Sequence, residues 1–434
     1  ANAVVLPCTA GMPVLEGGWV QVAGERIVAV GTGAPPPDAQ VIDAGGDVVM
    51  PGFVNPHSHL AMSLFRGLGE DVDDRLFRYI LPLERKFVTP AIVRAGTALS
   101  ALELIEGGTT TVADMYYFET EVAAVLDAAG LRGVVGQTLA DFDPPDHRDL
   151  DEGFALVEEL VAFCEGRPRL TPSIAPHAPY SVGMAGMARV ADWAAGRRLP
   201  VQMHLAETHP ENDWAIRAVG GSPVAAAKAA GLLAPGLVCA HALYVTPADI
   251  DLMAEAGVGV AHCARANGKG GRGIAPVTAM RAAGVPVGIA TDGPMSGNTL
   301  DSFAQFASVS MFQKLAGGSR KPMPAAEVIR MATAEGARVL GLADVTGTLE
   351  AGKQADLIRV SLAAPRCQPV YDVLAALVFS AMAPDVRDVM VAGRWLMRDR
   401  TVLTVDRAKA IADAAQVAGK FRIEINAMDH QTTG

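Results

Sequence analysis

Five histidines and one aspartate stand at the ends of short apolar runs, and their types suit metal-assisted hydrolysis. His57 and His59 close one run, His177 a second, His204 a third with Glu207 three residues on, His241 a fourth, and Asp292 the last. Side chains alternate faces along a strand, so His57 and His59 point the same way and can chelate one ion. Alone, each reads as a core or surface histidine; the joint pattern reverses that. His57, His59, His204 and Asp292 form a borderline-soft nitrogen and oxygen set suited to one Zn²⁺ per subunit, with Fe²⁺ or Mn²⁺ not excluded by ligand type. Such an ion lowers the pKa of a water toward neutrality and so supplies a nucleophile at physiological pH. Proton transfer then needs a carboxylate not spent as a ligand, and Glu207 is placed for it, the alternative being an exposed loop glutamate. Asp292 can double as ligand and base through its second oxygen. His241 reads as a donor that polarises the substrate or holds the water, or as a fourth nitrogen ligand.

Such residues meet only if the elements bring them to one place. Eight apolar, β-branched runs alternate with Ala/Leu/Glu-rich stretches: Val48–Leu60, Thr109–Met115, Leu131–Leu139, Leu170–His177, Val201–Thr208, Leu237–Leu243, Val258–Cys263 and Val285–Asp292. Segments such as Ala91–Glu106, Leu150–Glu165, Gly186–Ala195 and Pro247–Ala256 read as the helices between them. This is the count of a (β/α)₈ TIM barrel, whose strands all deliver their carboxyl ends to one mouth. A doubly wound open sheet is the second choice, but it would show a Gly-rich phosphate loop where Pro56-His57-Ser58-His59 stands. Both ends of the chain are strand-like with tight turns. Residues 1–47 and 346–405 are therefore expected to build one small β-sandwich domain flanking a barrel of residues 48–345, followed by a C-terminal helix and a loose tail within 406–434.

Other residues carry less. His262 lies inside its run, where a buried structural role weighs at least as much as a site role. His147, His209 and His430 read as solvent-facing, and Cys239 and Cys263 as small core residues. Gly268, Gly270, Gly271 and Gly273 form a flexible loop without the Lys-Ser/Thr of a phosphate loop.

Composition narrows the class. In 434 residues, half hydrophobic and 19% charged, a large core is available and disorder is excluded. A net charge of −11 speaks against nucleic-acid or anionic-membrane surfaces. Five scattered cysteines with no C-x-x-C indicate neither disulfides nor a cysteine zinc site and suit a reducing cytoplasm. No apolar run has the length of a membrane span.

The residues resemble the metal-dependent amidohydrolase superfamily, in its branch of chlorohydrolases and aminohydrolases acting on nitrogen heterocycles. The resemblance runs through most of the chain. It is carried by Pro51-Gly52-Phe53-Val54-Asn55-Pro56-His57-Ser58-His59, Met203-His204-Leu205-Ala206-Glu207-Thr208, Thr291-Asp292-Gly293 and the stretch Gly347–Leu357. No Lys ends the fourth run, where two-metal members carry a bridging lysine, so the resemblance implies a single ion. The subgroup most similar is the deaminases of S-adenosylhomocysteine, 5′-methylthioadenosine and related adenosines. Met62-Ser63-Leu64-Phe65-Arg66-Gly67, Leu81-Pro82-Leu83-Glu84, Asp114-Met115-Tyr116 and Pro176-His177-Ala178-Pro179-Tyr180 carry that likeness. It implies that Glu84 holds ribose hydroxyls, that His177 lies by the substrate, and that the protein is a homo-oligomer. The chain departs from the subgroup at Arg75, where a Trp is usual, and at Ala264-Arg265-Ala266-Asn267, which replaces a Pro-x-Ser-Asn.

The implied reaction is water attack on a ring carbon bearing an amino group, with Glu207 protonating the ring nitrogen, Asp292 taking the water proton, and ammonia leaving. The same apparatus would displace chloride from a triazine, deaminate guanine or a pterin, or open a cyclic amide. A non-catalytic scaffold has no need of the intact set His57, His59, His204, Asp292 and Glu207.

Overall fold

The computed structural model describes residues 1–197 and 199–432, with side chains described through 428. Among the described residues sixteen strands form two eight-stranded sheets. One is all parallel with its strands in chain order: β5 (Phe53–Ser58), β6 (Thr109–Tyr116), β7 (Arg132–Leu139), β8 (Leu170–Pro176), β9 (Val201–Leu205), β10 (Leu237–His241), β11 (Gly259–His262) and β12 (Val287–Ile289). Every residue of β6 and β7 is buried, as expected where side chains on one face fill a barrel and those on the other meet covering helices. The expected barrel is present. Its first and last strands meet through the side chain of Asn55, which donates to Thr291 Oγ1 at 2.8 Å and accepts from Thr291 N at 3.1 Å, and through Asp292 N donating to His57 O at 3.2 Å.

Helices follow the strands because local signals start them. Thr208, Ser222 and Thr246 each accept a backbone N–H of the first turn, and Thr246 forms a capping box with Asp249. The helix Pro179–Arg197 begins earlier than the expected Gly186, with Gly183 breaking its backbone at φ 67°.

The second sheet draws on both ends of the chain: β1 (Ala3–Val5), β2 (Leu15–Ala23), β3 (Arg26–Thr32), β4 (Val48–Pro51), β13 (Leu357–Val360), β14 (Val386–Val391), β15 (Arg394–Arg398) and β16 (Thr401–Val402), in the order β16-β15-β14-β13-β4-β1-β2-β3. The run Val48–Leu60, expected as one barrel strand, is thus two. Val48–Pro51 pairs with β13 and β1 in the terminal sheet, and the barrel begins at Phe53. Gly52 makes the crossing, where an added Cβ would lie 2.1 Å from Thr110 Cγ2. The stretch 346–405 also holds a short α-helix, Val373–Phe379, and two 3-10 turns, Pro365–Cys367 and Ala383–Asp385. The chain ends in a helix, Arg407–Thr432, whose buried Phe421 packs against Phe65 and Phe87 with ring centroids 4.9 and 5.6 Å away. It runs through His430, expected in a loose tail; of that tail, Thr433 and Gly434 lie outside the described residues.

Candidate metal centre and active site

The barrel brings the strand-end histidines together. His57 lies in β5 and His59 just past it, His204 in β9, His241 at the end of β10, and Asp292 three residues beyond β12. Asp292 Oδ1 is 3.8 Å from His57 Nε2 and 3.4 Å from His59 Nε2, while His59 Nε2 and His204 Nε2 are 3.2 Å apart. Donor atoms of His57, His59 and Asp292 lie within 4.8 Å of one another, as do those of His57, His204 and His241. Four non-glycine residues at these strand ends hold left-handed backbone, Ala206 at φ 55°, His241 at 72°, Ala242 at 44° and Asp292 at 61°. Such conformations cost energy and persist where the surrounding structure imposes them.

Hydrogen bonds on the far ring nitrogens set which atom faces inward. His59 Nδ1 donates to Met115 O at 2.7 Å, His204 Nδ1 to His177 O at 2.8 Å, and His241 Nδ1 to Asn267 Oδ1 at 2.8 Å. Each bond leaves a lone pair on Nε2 directed at the centre. Burial first, and the neighbouring imidazoles second, hold His57 and His204 well below the ordinary histidine range, so both rings rest neutral, the form that binds metal. Lone pairs of His59 and His204 at 3.2 Å, with the Asp292 oxygen beside them, repel one another unless a cation lies between. His57 Nε2 and His241 Nε2 are buried and among the described residues have no hydrogen-bond partner, a costly state that an ion and its water would relieve. The donors present fit a divalent ion.

Glu207 flanks the centre, its Oε1 3.5 Å from His241 Nε2 and paired with the Arg272 guanidinium. Burial opposes its ionisation, but His241, Arg272, His204 and His177 outweigh burial and take the carboxyl down to about 2. The backbone beneath it is clamped by Glu211, whose Oε1 and Oε2 accept Ala206 N and Glu207 N, both at 2.8 Å. Glu207 is therefore no freely exposed loop residue. His177 follows β8, its ring tilted against His204 at 4.9 Å and edge-on to Phe142 at 5.2 Å. Burial lowers its pKa to about 4. Glu84, on the helix Leu81–Phe87, is buried and accepts from Tyr116 Oη at 2.6 Å.

Sequence reasoning missed Arg272, Glu211 and Asn267. Only the glycine-rich loop hinted at Arg272, Asn267 stood without a role in the segment that departs from the subgroup's motif, and nothing in spacing marks Glu211; Glu211 acts on the backbone of one strand end and Asn267 on the ring of another. His147, expected to face solvent, is instead buried, with Nδ1 2.7 Å from Asp146 Oδ1. His209 is exposed as expected, against the Tyr244 ring at 4.2 Å. His262 is buried with both ring nitrogens unpartnered among the described residues, and Cys239 and Cys263 are buried. Arg75 reaches Met295 O at 3.5 Å.

Barrel, terminal sheet and histidine–aspartate centre together define a metal-dependent hydrolase, and the family comparison agrees. The Amidohydrolase family model matches residues 48–396, and the chain belongs to that family. It is 40% identical over 369 residues to the 5-methylthioadenosine/S-adenosylhomocysteine deaminase of Syntrophobacter fumaroxidans, covering 85% of this chain and 84% of that protein. The crystal structure of an adenosine deaminase from Xanthomonas campestris with bound zinc superposes with a TM-score of 0.92 at 36% identity, covering 97% of this chain and 98% of that one. An atrazine chlorohydrolase from Arthrobacter aurescens, complexed with zinc, shares the fold at 21% identity, with a TM-score of 0.85 over 95% of this chain and 98% of that one. Among the described residues no single helix is long and apolar enough to cross a membrane.

Proposed function

We propose that the protein is a zinc-dependent deaminase of adenosine-type nucleosides, among them 5′-methylthioadenosine and S-adenosylhomocysteine, releasing ammonia. The observation that carries this reading is the convergence of His57, His59, His204 and Asp292 with a proton carrier, Glu207, against their rim. The names of the similar deaminases support the substrate class. His57, His59, His204 and Asp292 would hold one zinc ion, with iron or manganese as the other ions this donor set admits. When bound, the ion supplies Lewis acidity that lowers the pKa of a water.

The chain's own groups do the rest. Glu207 rests ionised, so it takes a proton from the attacking water and hands it to the ring nitrogen next to the carbon under attack. Asp292 accepts the water's remaining proton and passes it to the departing amine, which leaves as ammonia. His241, fixed by Asn267, turns Nε2 toward the reacting oxygen as its orienting partner. Glu84 takes the ribose hydroxyls and His177 borders the purine. The enzyme works as a homo-oligomer in a reducing cytoplasm, which its five unpaired, buried cysteines suit.

The test is ammonia release by zinc-loaded protein across adenosine, 5′-methylthioadenosine, S-adenosylhomocysteine, guanine, pterins and amino- or chlorotriazines. Turnover of adenosines that is abolished by chelation and restored by zinc is the expected result. Turnover confined to the other heterocycles would overturn the substrate reading, and protein that binds no transition metal would overturn the enzyme.

A further inference from the structure

Glu84 and Tyr116 form a buried pair that the chemistry at the ion does not need. Glu84 is 5% exposed and Tyr116 4%. The carboxylate takes a single hydrogen bond, from the Tyr116 hydroxyl to Oε1 at 2.6 Å, and makes no ion pair among the described residues. An ionised carboxylate can accept about four hydrogen bonds, so Glu84 keeps acceptor capacity for a ligand. The pair also stands next to the metal centre along the chain. Tyr116 closes β6 one residue after Met115, whose carbonyl orients His59. One strand end therefore aims a metal-facing imidazole with its backbone and holds a carboxylate with the next side chain. The Tyr117 ring, 4.9 Å from that of Tyr116, supports it from the side.

We propose that Tyr116 is a positioning residue for the sugar pocket: by donating to Oε1 it fixes the rotation of the Glu84 carboxylate, presents Oε2 to the sugar hydroxyls, and so sets a preference for ribose over deoxyribose. This rests on Glu84 being the sugar carboxylate, as read above. Rotation about the last torsion of a glutamate is otherwise broad. Without the hydroxyl, Oε2 is no longer held toward the ligand, and the preference shrinks while metal binding is untouched.

The experiment is calorimetric binding of inosine and of 2′,3′-dideoxyinosine, neither of which carries an amino group to be released, to the zinc-loaded protein. Wild type is expected to favour inosine on the order of 100-fold, as bonds from two hydroxyls to a charged acceptor would give. Tyr116→Phe should reduce that ratio to about 10 or less, and Glu84→Gln should reduce it as well. In the double variant the loss should be less than the product of the two single effects, since both act through one carboxylate. Tyr117→Phe, which keeps the hydrogen bond, should retain the wild-type ratio, and zinc content should be equal throughout. A Tyr116→Phe protein that keeps the wild-type ratio, or a wild type that shows no preference, overturns the proposal. Ammonia release from adenosine is scored separately. A protein that prefers inosine yet releases no ammonia defeats the deaminase reading and leaves the role of Tyr116 standing.

Discussion

At the scale of single residues, the site is built by controlling which atom each side chain presents. Three imidazoles spend Nδ1 on a carbonyl or amide oxygen and keep Nε2 for the centre, and none of those acceptors is a neighbour in sequence. Glu207 is held ionised beside them. Glu207→Gln keeps nearly the same size but cannot carry a proton, so it should retain zinc while turnover falls by about 100- to 10,000-fold, the range of general acid–base contributions. Metal analysis together with steady-state rates checks both halves; unchanged turnover removes Glu207 from the mechanism. Glu84 gives a pH prediction. Burial raises its carboxyl to about 7, against a smaller lowering by the Tyr116 hydroxyl. Protonation removes the charge that strengthens these bonds and turns one acceptor oxygen into a donor, so KM for ribonucleosides should rise as pH falls below about 7. KM for the 2′,3′-dideoxy compounds should stay flat over the same range. A parallel rise for both sugars would assign the titration to another group.

At the scale of elements, the barrel depends on closing β12 against β5, and that seam is short. Asn55 replaces ladder bonds with a side-chain amide that serves both Thr291 N and Thr291 Oγ1, one residue before Asp292. Asn55→Ala leaves the buried Thr291 N unpaired, while Thr291 Oγ1 keeps its bond to Asp292 O, and should cost about 1–3 kcal/mol of stability. Because Asp292 would lose its support, zinc affinity should fall too. Denaturant midpoints and metal titration on the same protein measure the two effects, and loss of stability with unaltered affinity would show that the seam does not position the aspartate. The crossing at Gly52 is the same kind of constraint, since Thr110 fills the space that any Cβ would need.

At the scale of the whole molecule, the two sheets are locked by a buried ion pair. Arg132 in β7 bonds Asp356 through Nε at 3.0 Å, with side-chain exposures of 5% and 0%, and Asp356 Oδ1 also accepts Ala392 N at 2.7 Å. The strands β13 and β14 thereby rest on the barrel wall. Arg132→Met removes the cation and strands the carboxylate, which should destabilise the protein by about 3–5 kcal/mol. Asp356→Asn in the Arg132→Met background should recover part of that loss, because it removes the buried charge. A double variant no more stable than Arg132→Met would mean that lost packing, rather than the unpaired carboxylate, dominates.

The sequence by itself determined the barrel, the terminal sheet and the identity of the residues at the strand ends, because a parallel barrel turns one-dimensional order into a ring. Once His57, His59, His204, His241 and Asp292 end their runs, strand pairing in chain order delivers them to one mouth. The tertiary structure alone decided where β4 leaves the first run, that His147 turns inward, and that Arg272, Glu211 and Asn267 serve the site. Each of those depends on a partner far along the chain: β13 for β4, Glu207 for Arg272, His241 for Asn267. Periodicity reports which face of its own element a residue occupies. Which group from another element waits on that face is set by packing, and only three-dimensional geometry records it.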